Sequence, residues 1–235
     1  KVGGTLEKRN LSRMTMPGRF FLQRFLRKAI AARCSHAVIE ITSEGAAQHR
    51  HRFLALDALV FTNLAPEHIE SHGSYEAYRD AKLSIARALA HSRKHTMFIV
   101  ANTDDAEGDR FLATAQPAEQ CPFSLKDAEP FKIRSDGIRF TFDGCRMASP
   151  LVGIFNLSNT LAAMTLTRAL DVGTEVVKRA VESFTGVPGR MEHVREGQPF
   201  NVIVDYAHTP DSLRAVYEFI KHSQKIRLCE ERRGA

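Results

Sequence analysis

The chain has 235 residues, 43% of them hydrophobic and 26% charged, the makeup of an ordinary globular protein of one large or two smaller domains rather than of a disordered or fibrous chain. No apolar run approaches the roughly 20 residues that a membrane helix needs. Lys1-Val2-Gly3-Gly4 carries neither an initiator Met nor a signal-peptide apolar core, so a cytoplasmic chain, cut at its front and without a membrane partner, is expected. The formal charge of +6 comes from dispersed lysines and arginines, which argues against nucleic acid and suits a polyanionic small substrate such as a nucleotide. Cys34, Cys121, Cys145 and Cys229 lie far apart with no Cys-x-x-Cys pair, so reduced structural thiols are expected rather than a zinc knuckle or a disulfide framework.

Residues 1–18 lack periodicity and end at Pro17-Gly18, a break. From Arg19 to Arg33, apolar and basic positions alternate at helical spacing, which predicts an amphipathic helix. The run Ala37 to Ile41 reads as a buried strand interrupted by Glu40. A carboxylate inside an apolar strand is costly unless paired, protonated or bound to a metal, and its place near the strand end favours a metal or a polar cleft. Thr42 to His51 is a polar loop whose hydroxyl, amide and guanidinium groups could hold phosphate or uracil-type edges, and a plain solvated loop would look similar.

Ala58 to Thr62 predicts the next strand, and the loop after it carries His68 and His72 before turning at Gly73. Ser74 is placed to cap a helix from Tyr75 to about Ala90. On it Tyr75, Tyr78, Lys82, Ile85 and Leu89 share one stripe. Lys82 either snorkels to water from that stripe or has its pKa lowered by desolvation.

Thr96 to Asn102 is a further buried strand with a polar exit, and Phe131 to Gly144 predicts a β-hairpin around Ser135-Asp136-Gly137. A helix follows to about Leu170, with Asn156 as its cap and Asn159 one turn on, and another covers Glu175 to Phe184. Gly186 to Arg190 marks a domain border. Asn201 to Asp205 reads as a strand ending in an acid, and Thr209 with Pro210 and Asp211 starts a helix to about Lys221. After Lys225 no pattern remains. The 235 residues hold no Gly-x-x-x-x-Gly-Lys-Ser/Thr phosphate loop.

Six motifs in this order resemble the Mur ligase family of bacterial cell-wall synthesis, in its UDP-N-acetylmuramoyl-tripeptide synthetase (MurE) type. They are Glu40-Ile41-Thr42-Ser43 with Gln48-His49-Arg50, Thr62-Asn63-Leu64 through His68 and His72-Gly73, Tyr78-Arg79-Asp80-Ala81-Lys82, Phe155 to Asn159, Gly189-Arg190-Met191-Glu192, and Asp205 to Ser212. The resemblance runs from about Thr15 to Lys221. It implies an α/β fold, a mostly parallel central sheet flanked by helices over residues 1–187, then the first β-α unit of a C-terminal Rossmann-like domain over 188–235.

The resemblance also implies a function. ATP phosphorylates the carboxylate of UDP-MurNAc-dipeptide, and the amine of an amino acid attacks the acyl phosphate. Glu40 and His68 are implied as magnesium ligands, with Lys82 carbamylated by CO2 as a third. Asn156, Asn159, Arg190, Asp205 and His208 would surround ATP, and Thr15, Ser43, Gln48 and Arg50 would hold the UDP-sugar substrate. A monomer is expected. Met16 stands where a second threonine is usual, and Glu44 where the family often has histidine. The resemblance starts downstream of the family's phosphate loop and stops before its amino-acid-selecting motif, so an inactive fragment of the ligase is expected. A related ligase such as cyanophycin synthetase, or a binding protein that lost the phosphate loop, stays open as an alternative.

Overall fold

The computed structural model describes residues 15–66 and 69–231, with side chains except at Ile69 and residues 222–231. His68 and Glu67 therefore lie outside the described residues, as does the segment 1–14. Helix α1 (Arg19–Ala31) buries Leu22 and Ala29, two turns apart on one stripe, and Gln23 Nε2 donates to Phe53 O at 2.9 Å. The expected strand at Ala37 to Ile41 is not formed. These residues pair with no strand, Val38 is fully exposed and Glu40 is exposed too. Glu40 therefore carries none of the burial cost that its place in an apolar run suggested.

Within the expected polar loop the chain makes a short helix, α2 (Ser43–Ala47), capped by Thr42, whose Oγ1 accepts the Gly45 amide at 3.1 Å. Strand β1 (Ala58–Phe61) follows, then α3 (Ile69–His72) and α4 (Tyr75–Ala90). Ser74 caps α4 as its sequence predicts, its Oγ accepting the Ala77 amide at 3.1 Å. The α4 stripe faces inward as its spacing requires: Tyr78, Ile85 and Leu89 are buried, with Leu83 and Ala86 beside them. α2 packs on α4.

β2 (Phe98–Asn102) is buried at every residue. α5 (Gly108–Thr114) leads to β3 (Glu119–Phe123), and the three strands form a sheet in the order β1-β2-β3. Each strand reaches the next through a helix, the crossover that parallel pairing requires, and the sheet is parallel. Gly108 touches the end of β2 so closely that a Cβ there would lie 2.0 Å from Asn102 O. No larger residue fits that turn.

β4 (Lys132–Arg134) and β5 (Gly137–Phe142) form the predicted hairpin, with Ile133 opposite Ile138. β6 (Cys145–Ser149), which the sequence reading missed, adds a third antiparallel strand through Asp143-Gly144, with Phe140 opposite Met147. Their apolar face packs with α6 (Ile154–Ala169) into a core of Phe123, Ile138, Phe140, Phe142, Met147, Leu157 and Leu161. α7 (Thr174–Ser183) sets Val177 and Val181 against the same cluster. β7 (Glu192–Val194) pairs antiparallel with β8 (Val202–Val204), and α8 (Pro210–Glu231) follows, ten residues longer than its pattern indicated. By contacts the chain forms two compact units: Lys1–Leu59, Pro66–Ile99 and Asp109–Gln120 in one, and Val60–Ala65, Val100–Gly108 and Cys121–Ala235 in the other.

Candidate functional site

In the first unit, α2 and its flanks gather the residues expected on the substrate side. Arg50 is the organising group. Its Nη1 donates to the backbone oxygen of Met16, and its Nε donates to Gln48 Oε1 at 3.0 Å. One guanidinium thus joins the segment after Thr15 to the loop after α2. Ser43 is buried at the start of α2, whereas Thr15 and Gln48 are exposed. Met16 is fully buried, and a Cβ on Gly45 would meet its sulfur at 2.6 Å, so the departure from threonine at this position is a packing residue.

His51 follows Arg50 in the chain. It is buried, and its Nδ1 meets no hydrogen-bond partner among the described residues. Burial lowers its pKa from the ordinary 6.5, with His49 and Arg52 pushing the same way. Burial beside cationic neighbours disfavours the imidazolium.

On α4, Lys82 is half-buried with its Nζ 5.7 Å from the Tyr78 ring centroid, and His72 meets the same ring edge-on at 5.4 Å. Glu40 makes no hydrogen bond or ion pair with another described residue. Among the described residues no group of three His, Cys, Asp or Glu side chains could hold a metal ion. Magnesium needs several hard oxygen donors, and Lys82 as an ammonium would repel it. The described side chains in their unmodified form do not fit the ion.

In the second unit the exit of β2 is a hub of carboxylates, each used structurally. Asp105 accepts the Leu64 amide at 2.9 Å through Oδ2 and the Glu107 amide at 2.9 Å through Oδ1. Asp104 Oδ2 accepts the Leu125 amide at 2.7 Å, and Asn102 Nδ2 donates to Thr62 O at 2.9 Å. Side chains at the end of β2 therefore fix Thr62 to Leu64, the start of the loop that leads to His68. Sequence reading saw only a polar strand exit there.

The residues expected around ATP fall into two groups. α6 begins at Gly153, whose φ of +89° suits glycine, and Asn156 is not the cap: it sits in the first turn with its Nδ2 donating back to Val152 O at 2.8 Å. Asn159 is exposed three residues on, which places it on the same face one turn later. Arg190, Asp205 and His208 come together at the ends of the β7-β8 ribbon. Asp205 Oδ2 accepts the Met191 amide at 2.8 Å and Oδ1 the Ala207 amide at 2.6 Å. Arg190 lies over the Tyr206 ring, 4.8 Å from its centroid, and the His208 ring meets Tyr206 edge-on at 4.8 Å. Tyr206 was missed in the sequence, although it stands between two residues expected at the site.

A profile of the Mur ligase middle domain matches residues 1–167, and one of the Mur ligase glutamate ligase domain matches residues 189–229. The chain belongs to the Mur ligase family. This Mur ligase chain is 35% identical to a UDP-N-acetylmuramyl-tripeptide synthetase of Roseiflexus sp. (strain RS-1), over 90% of its own length and 45% of that protein. It is 36% identical to a UDP-N-acetylmuramoyl-L-alanyl-D-glutamate–2,6-diaminopimelate ligase of Gloeobacter violaceus, over 92% of its length and 45% of the relative. A solved structure of a ligase with that same name superposes with a TM-score of 0.71 at 27% identity, covering 87% of this chain and 44% of the other. The chain thus spans less than half the length of these relatives. Among its described residues no helix is long and apolar enough to cross a membrane.

Proposed function

We propose that this Mur ligase chain is part of an ATP-dependent ligase that joins an amino acid to UDP-MurNAc-dipeptide by an amide bond, in peptidoglycan synthesis, through an acyl phosphate. The observation that carries this reading is the succession of the two Mur ligase domains along the chain at 35% identity to a tripeptide synthetase. The domain border falls at 187/188 in this reading, and the protein acts as a cytoplasmic monomer. Thr15, Ser43, Gln48 and Arg50 hold the UDP-sugar, supported by the Arg50 bridge between Met16 and Gln48. Asn156, Asn159, Arg190, Asp205 and His208 surround ATP, supported by the grouping of the last three.

The chemistry asks for charge control. A carboxylate oxygen attacks the γ-phosphorus, ADP leaves, and the amine then displaces phosphate from the acyl carbon. Guanidinium and imidazole donors aimed at phosphate oxygens stabilise the developing charge. With no Gly-rich phosphate loop in its 235 residues, this chain by itself binds nucleotide weakly and does not turn over. The test expresses the gene's complete reading frame and supplies ATP, magnesium, UDP-MurNAc-dipeptide and a panel of amino acids including diaminopimelate and lysine. Amide product with matching ADP release is expected. ATP consumption without amide, or neither, overturns the reading.

Lys82 belongs to this proposal. Carbamylation by CO2 turns its ammonium into an anionic group with two oxygen donors, which would complete a magnesium set with Glu40 and His68. Its half-buried place on the α4 stripe beside Tyr78 supports the reading. Labelled bicarbonate should give the complete protein a carbamate carbon-13 resonance that Lys82→Arg lacks. A resonance unchanged in that variant, or absent from the wild type, discards the carbamate.

A further inference from the structure

We propose that Tyr206 is a positioning residue, an aromatic seat that holds Arg190 and His208 in place for a nucleotide phosphate; this rests on the reading of the site given above. Tyr206 is 63% exposed, so core packing does not explain its ring. It is covered instead by two polar neighbours. The Arg190 guanidinium lies over it at 4.8 Å, and the His208 imidazole stands against it at an interplanar angle of 69°.

The backbone makes this arrangement reproducible. Glu192 pairs with Val204 across the β7-β8 ribbon, which brings residues 190–191 alongside 205–206. Asp205 then locks the two segments by accepting the Met191 and Ala207 amides. Both its oxygens are engaged there, and Asp205 forms no ion pair with Arg190 among the described residues. A free surface arginine samples many rotamers, and the ring face confines this one. Stacking also uses the flat face of the guanidinium and leaves its edge donors open. An edge of that kind binds phosphate oxygens in bidentate fashion. An ion pair would hold Arg190 equally well but would neutralise it. For His208, Nδ1 donates to Tyr206 O at 2.8 Å, so Nε2 is the ring nitrogen left for a ligand, and it donates to a phosphate oxygen in the imidazolium form. One residue therefore orients both groups, the arginine by its ring and the histidine by its ring and its carbonyl.

A double-mutant cycle tests this, with a fluorescent trinitrophenyl-ATP as the probe on the complete protein. Loss of an exposed cation–π seat predicts that Tyr206→Leu binds the probe about two- to fivefold more weakly, while Tyr206→Phe, which keeps the ring, binds it as wild type does. Arg190→Ala should weaken binding as well, and adding Tyr206→Leu to it should cause little further loss, since the ring acts through the arginine. A purely structural tyrosine would instead lower the melting temperature and give additive losses. Wild-type binding by Tyr206→Leu, or additivity in the cycle, overturns the seat while leaving the ligase reading intact. A wild-type protein that binds no probe overturns the ligase reading and the seat together.

Discussion

His51 shows how a residue without an assigned role sets conditions for its neighbours. It is buried next to Arg50 in the chain, and burial first, then His49 and Arg52, lowers its pKa below 6.5. In the unfolded chain it titrates at its ordinary value, so as the pH falls through 6.5 the unfolded state takes up a proton that the folded state refuses. Stability is therefore undiminished above that pH and declines below it until the folded pKa is reached. Denaturant melts at about pH 7.5 and about pH 5.5 should show an acid loss of stability that His51→Gln reduces; equal acid losses in both proteins would show that the imidazole is already solvated. Legibility at this scale follows chemistry. Lys82 was conspicuous because a cation stood on an apolar stripe, and Arg190 and His208 because they lie in recognisable motifs. Met16 stood out only as a departure from threonine and Tyr206 only as part of a motif, since their contacts lie with residues 34 and 16 positions away, Arg50 and Arg190.

Among the elements, α4 was the most legible, because cap, period and length agree in sequence and in structure. Ser74→Ala should destabilise the protein by about 1 kcal/mol in urea melts, and Ser74→Asp should retain most of the stability. An unchanged midpoint in the alanine variant would mean that the bond to the Ala77 amide contributes nothing. Strands were read less well, and for a physical reason. A helix satisfies its own backbone, whereas a strand needs a neighbour that the local sequence does not name. Ala37 to Ile41 has strand composition but pairs with nothing described, and Cys145–Ser149 pairs with β5 despite a mixed composition. The hairpin at Ser135-Asp136-Gly137 was readable because its turn residues announce the pairing. α8 continues past Lys225 because mixed charged residues sustain a helix without an apolar stripe to advertise it.

For the molecule as a whole, the order of motifs identified the family where single motifs could not. The Mur ligase middle and glutamate ligase domains match in that order, and the α/β fold agrees. Motifs named the candidate residues but not their contacts: Arg50 joins Met16 to Gln48 in one unit, and Asp205 and Tyr206 hold the segments of Arg190 and His208 together in the other. The central claim is amide formation through an acyl phosphate, and the path of one oxygen tests it directly. UDP-MurNAc-dipeptide labelled with oxygen-18 in its reacting carboxylate is incubated with the complete protein, ATP, magnesium and the amino acid that it accepts. If the carboxylate is phosphorylated and the amine then expels phosphate, the inorganic phosphate released carries one labelled oxygen for each amide formed. Amide formed with unlabelled phosphate would contradict the account.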